Sequence, residues 1–81
     1  MSRILVIDDQ ADVRTMIAVV LRVRHFEIVE AATAAAALRA FDISSFDLAI
    51  VDIFLQGTNG FDLIRAIEAA NPALQQKATA I

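Results

Sequence analysis

Two short apolar runs dictate most of what this chain can fold into, because each one stops abruptly at aspartate. Arg3-Ile-Leu-Val-Ile7 is followed by Asp8 and Asp9, and Phe46-Asp-Leu-Ala-Ile-Val51 is followed by Asp52. A β-branched, aliphatic run without polar alternation has the pattern of a strand covered on both faces, as in the middle of a parallel sheet. The carboxyl ends of such strands share one edge, and ligands bind along it. Asp8, Asp9 and Asp52 would then share one pocket. Acids brought this close repel one another, and a hard divalent cation that takes oxygen ligands, such as Mg2+, is the usual remedy. The pocket reads first as a metal site.

The segments around these runs alternate strand and helix patterns without a linker. From Ala11 to Arg24, the residues Val13, Met16, Ile17, Val20 and Leu21 recur at helical spacing. Asp9 is the candidate N-cap, and Arg22 and Arg24 mark the C-terminal end, where cations favour the helix dipole. His25 reads as a surface loop residue. Phe26 to Val29 is a short second strand, and Thr33 is placed to cap a helix from Ala34 to Phe41, whose alanines are strong helix formers. Phe46 to Val51 is the third strand. Thr58-Asn-Gly60 supplies turn and cap chemistry for a third helix, from Phe61 to about Ala70, with Leu63, Ile64 and Ile67 as its apolar stripe and Asn71-Pro72 as its end. Ala78 to Ile81 opens a fourth strand. The order βαβαβαβ predicts an α/β fold, a parallel sheet with helices on both faces.

Composition narrows the function. With 81 residues, 58% of them hydrophobic, this is one small domain, near the size at which a single core becomes marginal. The net charge is -3 and the seven Lys and Arg are scattered, so no basic stripe exists to grip phosphate backbones, and direct nucleic-acid binding is not expected. The absence of cysteine excludes disulfides and thiolate zinc sites, and His25 is the lone imidazole. Charges interrupt every apolar stretch short of the roughly 18 residues a membrane span needs. Asp8 and Asp9 inside the first ten residues do not fit a signal peptide. No membrane association is expected, and the expected location is cytoplasmic.

Asp8-Asp9 after the first strand, Asp52 after the third, and the following Ile53-Phe-Leu-Gln-Gly-Thr-Asn-Gly60 closely resemble the receiver domain of bacterial two-component response regulators, and the resemblance covers the whole chain. In that family the acidic acceptor is commonly followed by a hydrophobic residue, any residue, leucine or methionine, proline, glycine, two variable residues and glycine. Gln56 stands where proline is usual, a departure that removes no chemical group. The resemblance implies a flavodoxin-like, doubly wound parallel sheet and a signalling module, not an enzyme. It makes Asp52 the phosphoacceptor for a sensor histidine kinase or phosphotransfer protein. Mg2+ would be held by Asp9, Asp52 and the backbone carbonyl of Phe54, with Asp8 acting through a bound water. Side chains at the Phe54 position flank the phosphoryl group in the family, so this bulky apolar residue is expected to hinder water and prolong the phosphorylated state.

Plainer roles are open to each residue. Asp8 and Asp9 could be a helix cap and its solvated neighbour, Asp52 a strand-end turn residue, and Gly57 and Gly60 ordinary turn glycines. Three such coincidences with the glycine spacing favour the receiver reading. The resemblance also implies that residues 1–81 correspond to the N-terminal two thirds of a receiver. The family's switch serine or threonine follows the fourth strand and its lysine ends a fifth, both beyond Ile81. Thr79, mid-strand, is expected to be a packing residue, and Lys77 precedes the fourth strand at the wrong edge to replace the lysine. The acceptor and metal ligands would be present without the groups that stabilise and report phosphorylation. An apolar flank on the third and fourth strands would favour self-association or strand exchange between chains. Two other readings stand beside this one. One is a phosphorylation-incompetent module that docks a kinase through Val13, Arg14 and Ile17. The other is a metal-dependent phosphohydrolase, which calls for a further acid two places after the nucleophile, where Phe54 stands.

Overall fold

β1 (Arg3–Ile7) is the spine of the molecule, and its side chains alternate between two cores. Leu5 and Ile7 point to one face of the sheet, Ile4 and Val6 to the other, and all four are buried. The computed structural model describes residues 2–55, 59–70 and 78–80. After β1 come α1 (Ala11–Val23), β2 (Glu27–Ala31), α2 (Ala34–Ile43), β3 (Leu48–Val51), α3 (Gly60–Ala70) and β4 (Ala78–Ala80). The strands form one sheet in the order β2-β1-β3-β4, with every pairing parallel. This is the beginning of the 2-1-3-4-5 order of the flavodoxin-like class. No helix among the described residues is long and apolar enough to cross a membrane.

The larger core joins Leu5, Ile7, Ala49 and Val51 of the sheet to Ala37 and Phe41 of α2 and to Leu63 and Ile67 of α3. Phe41 and Phe46 close it with an edge-to-face contact, ring centroids 5.0 Å apart. The smaller core joins Ile4, Val6 and Ile28 to Ala18 of α1, with Ile17, Leu21, Phe26, Leu48 and Ile50 packed around them. A fully buried aliphatic side chain at one of these positions contributes about 1.5–3 kcal/mol.

Local chemistry explains the element ends. Thr33 caps α2 as expected, its Oγ1 accepting from the Ala36 N–H at 3.1 Å. Asn59 caps α3, its Oδ1 accepting from the Phe61 N–H at 2.8 Å. α1 closes at Val23 on a Schellman motif. The Phe26 N–H reaches the Leu21 carbonyl, the His25 N–H reaches that of Arg22, and His25 takes a left-handed φ of 68° between them. Phe26 and Leu21 both belong to the smaller core, supplying the apolar contact that accompanies this motif. His25 is exposed, as expected of a surface residue.

Three expectations need correction. The N-cap of α1 is Gln10, not Asp9, and it makes no side-chain cap bond. The inward face of α1 is centred on Ala18 with Ile17 and Leu21, while Met16 and Val20 are 61% and 59% exposed. Val13, Arg14 and Ile17 are each half-buried, with Ile17 packed against the smaller core, and the exposed large apolar residues of α1 are Met16, Val19, Val20 and Val23. β2 starts at Glu27 and runs to Ala31, and β3 starts at Leu48, leaving Phe46 as a buried residue ahead of the strand. Gln56, Gly57, Thr58, Asn71-Pro72, Lys77 and Ile81 lie outside the described residues.

Candidate metal centre at the strand ends

Register brings the acids together. Ile7 pairs with Val51 across β1 and β3, so the next residues, Asp8 and Asp52, leave adjacent strand ends side by side. Hydrogen bonds extend the sheet to these positions, with the Asp52 N–H donating to the Ile7 carbonyl at 3.0 Å and the Asp8 N–H to the Ala31 carbonyl at 3.1 Å. Asp9 follows on the turn into α1. One carboxylate oxygen from each of Asp8, Asp9 and Asp52 lies within 4.8 Å of the others.

The three are held differently. Asp8 is 8% exposed, and its Oδ1 accepts from the Gln10 N–H at 2.9 Å. Asp52 is half-buried, and its Oδ1 accepts from the Phe54 N–H at 2.9 Å, which fixes the carboxylate's rotation. Asp9 is exposed at the mouth. Three hard oxygen donors of this kind fit Mg2+ better than a soft metal.

The wall beside Asp52 is apolar. Phe54 is 82% exposed, and it lines an open hollow with Ile53, Leu55, Asn59 and Phe61. Gly60, the first residue of α3, is buried against the backbone just past β3. A Cβ there would stand 2.4 Å from Ile53 Cα and 2.7 Å from the Asp52 carbonyl oxygen. The turn role expected of Gly60 is therefore a close backbone approach, and its only sequence signal is its spacing from Asp52.

The response regulator receiver domain model matches residues 4–77. The chain belongs to this family. Among curated relatives it is 34% identical over 66 residues to the regulatory protein VanR of Enterococcus faecium, covering 82% of this chain and 29% of that protein. It is 37% identical over 68 residues to the DNA-binding response regulator MtrA of Mycolicibacterium paratuberculosis, covering 84% of this chain and 30% of that one. The chain thus spans under a third of the length of these relatives. Among solved receivers, the response regulator TrrA of Thermotoga maritima, determined in complex with Mg(2+)-BeF, superposes with a TM-score of 0.83 at 30% identity, covering 99% of this chain and 66% of that one.

The receiver fold brings Asp8, Asp9 and Asp52 to one edge and sets Phe54 beside them. Arg14, to which the sequence reading gave no part in this site, is a further neighbour, with its guanidinium on the Asp8 main-chain carbonyl at 2.8 Å. A basic residue one turn into a helix that follows an acidic pair carries some signal, but its target is a backbone atom.

Proposed function

We propose that this chain is the N-terminal part of a receiver that accepts a phosphoryl group from a histidine kinase or phosphotransfer protein onto Asp52, with Mg2+ as cofactor, in the cytoplasm. The observation that carries the reading is the convergence of Asp8, Asp9 and Asp52 within 4.8 Å at the ends of β1 and β3. Membership of the receiver family and the likeness to TrrA in its Mg(2+)-BeF complex support it.

The Asp52 carboxylate is the nucleophile. One of its oxygens forms a bond to phosphorus as the donor's bond to phosphorus breaks, and the departing donor keeps the electron pair. The Phe54 N–H on Oδ1 holds the carboxylate's rotation and directs the other oxygen to the reaction. Asp9, Asp52 and the Phe54 carbonyl would hold the cation, with Asp8 reaching it through a water. When bound, Mg2+ neutralises charge on the phosphoryl oxygens, and with positioning this is most of what phosphoryl transfer requires. Phe54, open to the solvent side of Asp52, shields the acyl phosphate from water.

The test is intact-mass measurement after incubation with Mg2+ and acetyl phosphate, beside Asp52→Ala. A phosphoryl adduct present in the parent and lost in the variant is the expected result. No adduct with Mg2+ binding retained would overturn the acceptor role and leave a kinase-docking module. For partners, the outward apolar residues Met16, Val19, Val20 and Val23 support self-association. A monomer in sedimentation at high concentration would exclude it.

A further inference from the structure

Arg14 lies one turn into α1, yet its guanidinium is turned back towards the strand ends, and its side chain is only 18% exposed. Nη1 donates to the main-chain carbonyl of Asp8 at 2.8 Å, and Nε donates to Glu30 Oε1 on β2 at 3.3 Å. Glu30 is held in turn by Arg22, whose Nη2 reaches Oε2 at 3.4 Å. The planar guanidinium is thereby fixed at two points, a task for which a flexible ammonium is poorly suited.

What it holds is a peptide plane. The carbonyl of Asp8 and the N–H of Asp9 belong to one rigid planar unit, so fixing that oxygen fixes the direction in which the chain leaves Asp8 and enters Asp9. The Asp8 N–H is already tied to Ala31, and its carboxylate to the Gln10 N–H. Arg14 completes the restraint on the turn that presents two of the three carboxylates.

We propose that Arg14 is a positioning residue for the cation site, setting the Asp8–Asp9 peptide so that both carboxylates meet Asp52. The inference rests on the reading that this cluster binds Mg2+. It carries a sign opposite to that of simple electrostatics. A fixed positive charge beside a cation site opposes cation binding, so its removal, which also leaves Glu30 less compensated, would by charge alone tighten Mg2+. Removal of a positioning group loosens it. Partners that orient metal ligands from behind are typically worth 10–100-fold in affinity.

The experiment is a Mg2+ titration of the whole chain at constant ionic strength, followed by amide shifts in 15N-labelled protein, with Arg14→Ala, Arg14→Lys and Arg22→Ala beside the parent. Arg22→Ala removes the same charge from the same helix and the same glutamate without touching Asp8. The expected result is a Kd raised roughly 10–100-fold in Arg14→Ala, raised less in Arg14→Lys, and unchanged or lowered in Arg22→Ala. An unchanged or lower Kd in Arg14→Ala overturns the proposal, as does an equal loss in Arg22→Ala, which would assign the effect to the ion-pair network. Should Arg14→Ala lose its dispersed spectrum, Arg14→Lys decides, and an unaltered Kd there refutes the role. Absence of Mg2+ binding in the parent would defeat the cation reading itself and this inference with it.

Discussion

Substitution of Gly60 by alanine separates two views of why glycine stands at the start of α3. If glycine only eases a turn, alanine should stabilise the chain by about 0.4–1 kcal/mol, because it restricts the unfolded state and is the better helix former. The geometry argues for the opposite sign. The new Cβ would stand 2.4 Å from Ile53 Cα and 2.7 Å from the Asp52 carbonyl oxygen. Carbon atoms pack at about 3.5–4.0 Å, so the start of α3 would have to withdraw by about 1 Å. No rotamer change can relieve the clash, because both atoms belong to the backbone. A withdrawal of that size also breaks the Gly60 N–H to Ile53 carbonyl bond, already 3.2 Å long. Overpacking of this kind costs about 1–3 kcal/mol and the hydrogen bond about 1 kcal/mol, against a helix-propensity gain of about 1 kcal/mol. A net loss of about 2 kcal/mol lowers Tm by roughly 8–16 °C in a domain of this size. Far-ultraviolet circular dichroism during thermal unfolding is the suitable assay, since the chain has no Trp or Tyr. Any part of the strain relieved by moving Asp52 should also slow phosphorylation from acetyl phosphate, because displacements near 1 Å can cost about a hundredfold. A Tm equal to or above that of the parent would refute the close-approach reasoning.

Two further substitutions probe a strained position and the apolar wall. His25→Gly removes the steric penalty of a left-handed β-substituted residue at φ 68° while keeping the Schellman bonds. It should stabilise the fold by about 0.5–1 kcal/mol after the greater chain entropy of glycine is counted, and a lower Tm on thermal unfolding would show that the His25 side chain contributes something the backbone geometry does not. Phe54→Asn replaces an exposed apolar side chain by a group that can hold water, and on the proposed shielding role hydrolysis of phosphorylated Asp52 should quicken by roughly tenfold, a change of about 1.4 kcal/mol in the barrier. The decay of the phosphorylated mass after removal of the phosphodonor measures this, and an unchanged rate would remove Phe54 from the mechanism.

The fold was legible wherever side-chain pattern and burial coincide. β1 could be read because a short, largely β-branched run that stops at a pair of acids is too short for a buried helix and fits a strand covered on both faces, and the structure buries all four residues from Ile4 to Ile7. α1 was legible as a helix but not in its rotation. Apolar residues lie on two sides of it, and its most deeply buried residue is Ala18, whose small side chain gives little hydrophobic signal. The extension of β2 through Glu30 and Ala31 was hidden by the charge on Glu30. On an edge strand that charge is accommodated by Arg14 and Arg22, a tertiary arrangement with no local signature. Asp9 has the chemistry of a cap, but its place at the mouth of the acid cluster leaves the N-cap position to Gln10, which makes no side-chain bond there.

The site divides along the same physical line. The three aspartates were readable because each carries its own chemistry and each ends a strand pattern, so sheet topology alone brings Asp8 and Asp52 side by side. Gly60 and Arg14 were not readable in their roles, and the reason is common to both. Each acts on main chain, Gly60 against the Asp52–Ile53 backbone and Arg14 on the Asp8 carbonyl. Every residue offers a carbonyl, so a sequence holds no mark of which one a distant group will meet, whereas a side-chain carboxylate is marked by its residue type. The acids name the chemistry, and the backbone contacts behind them fix its geometry. Substitutions such as Gly60→Ala and Arg14→Ala should therefore impair the site with Asp8, Asp9 and Asp52 all in place, and a screen of the acids alone would miss that half of what makes the pocket work.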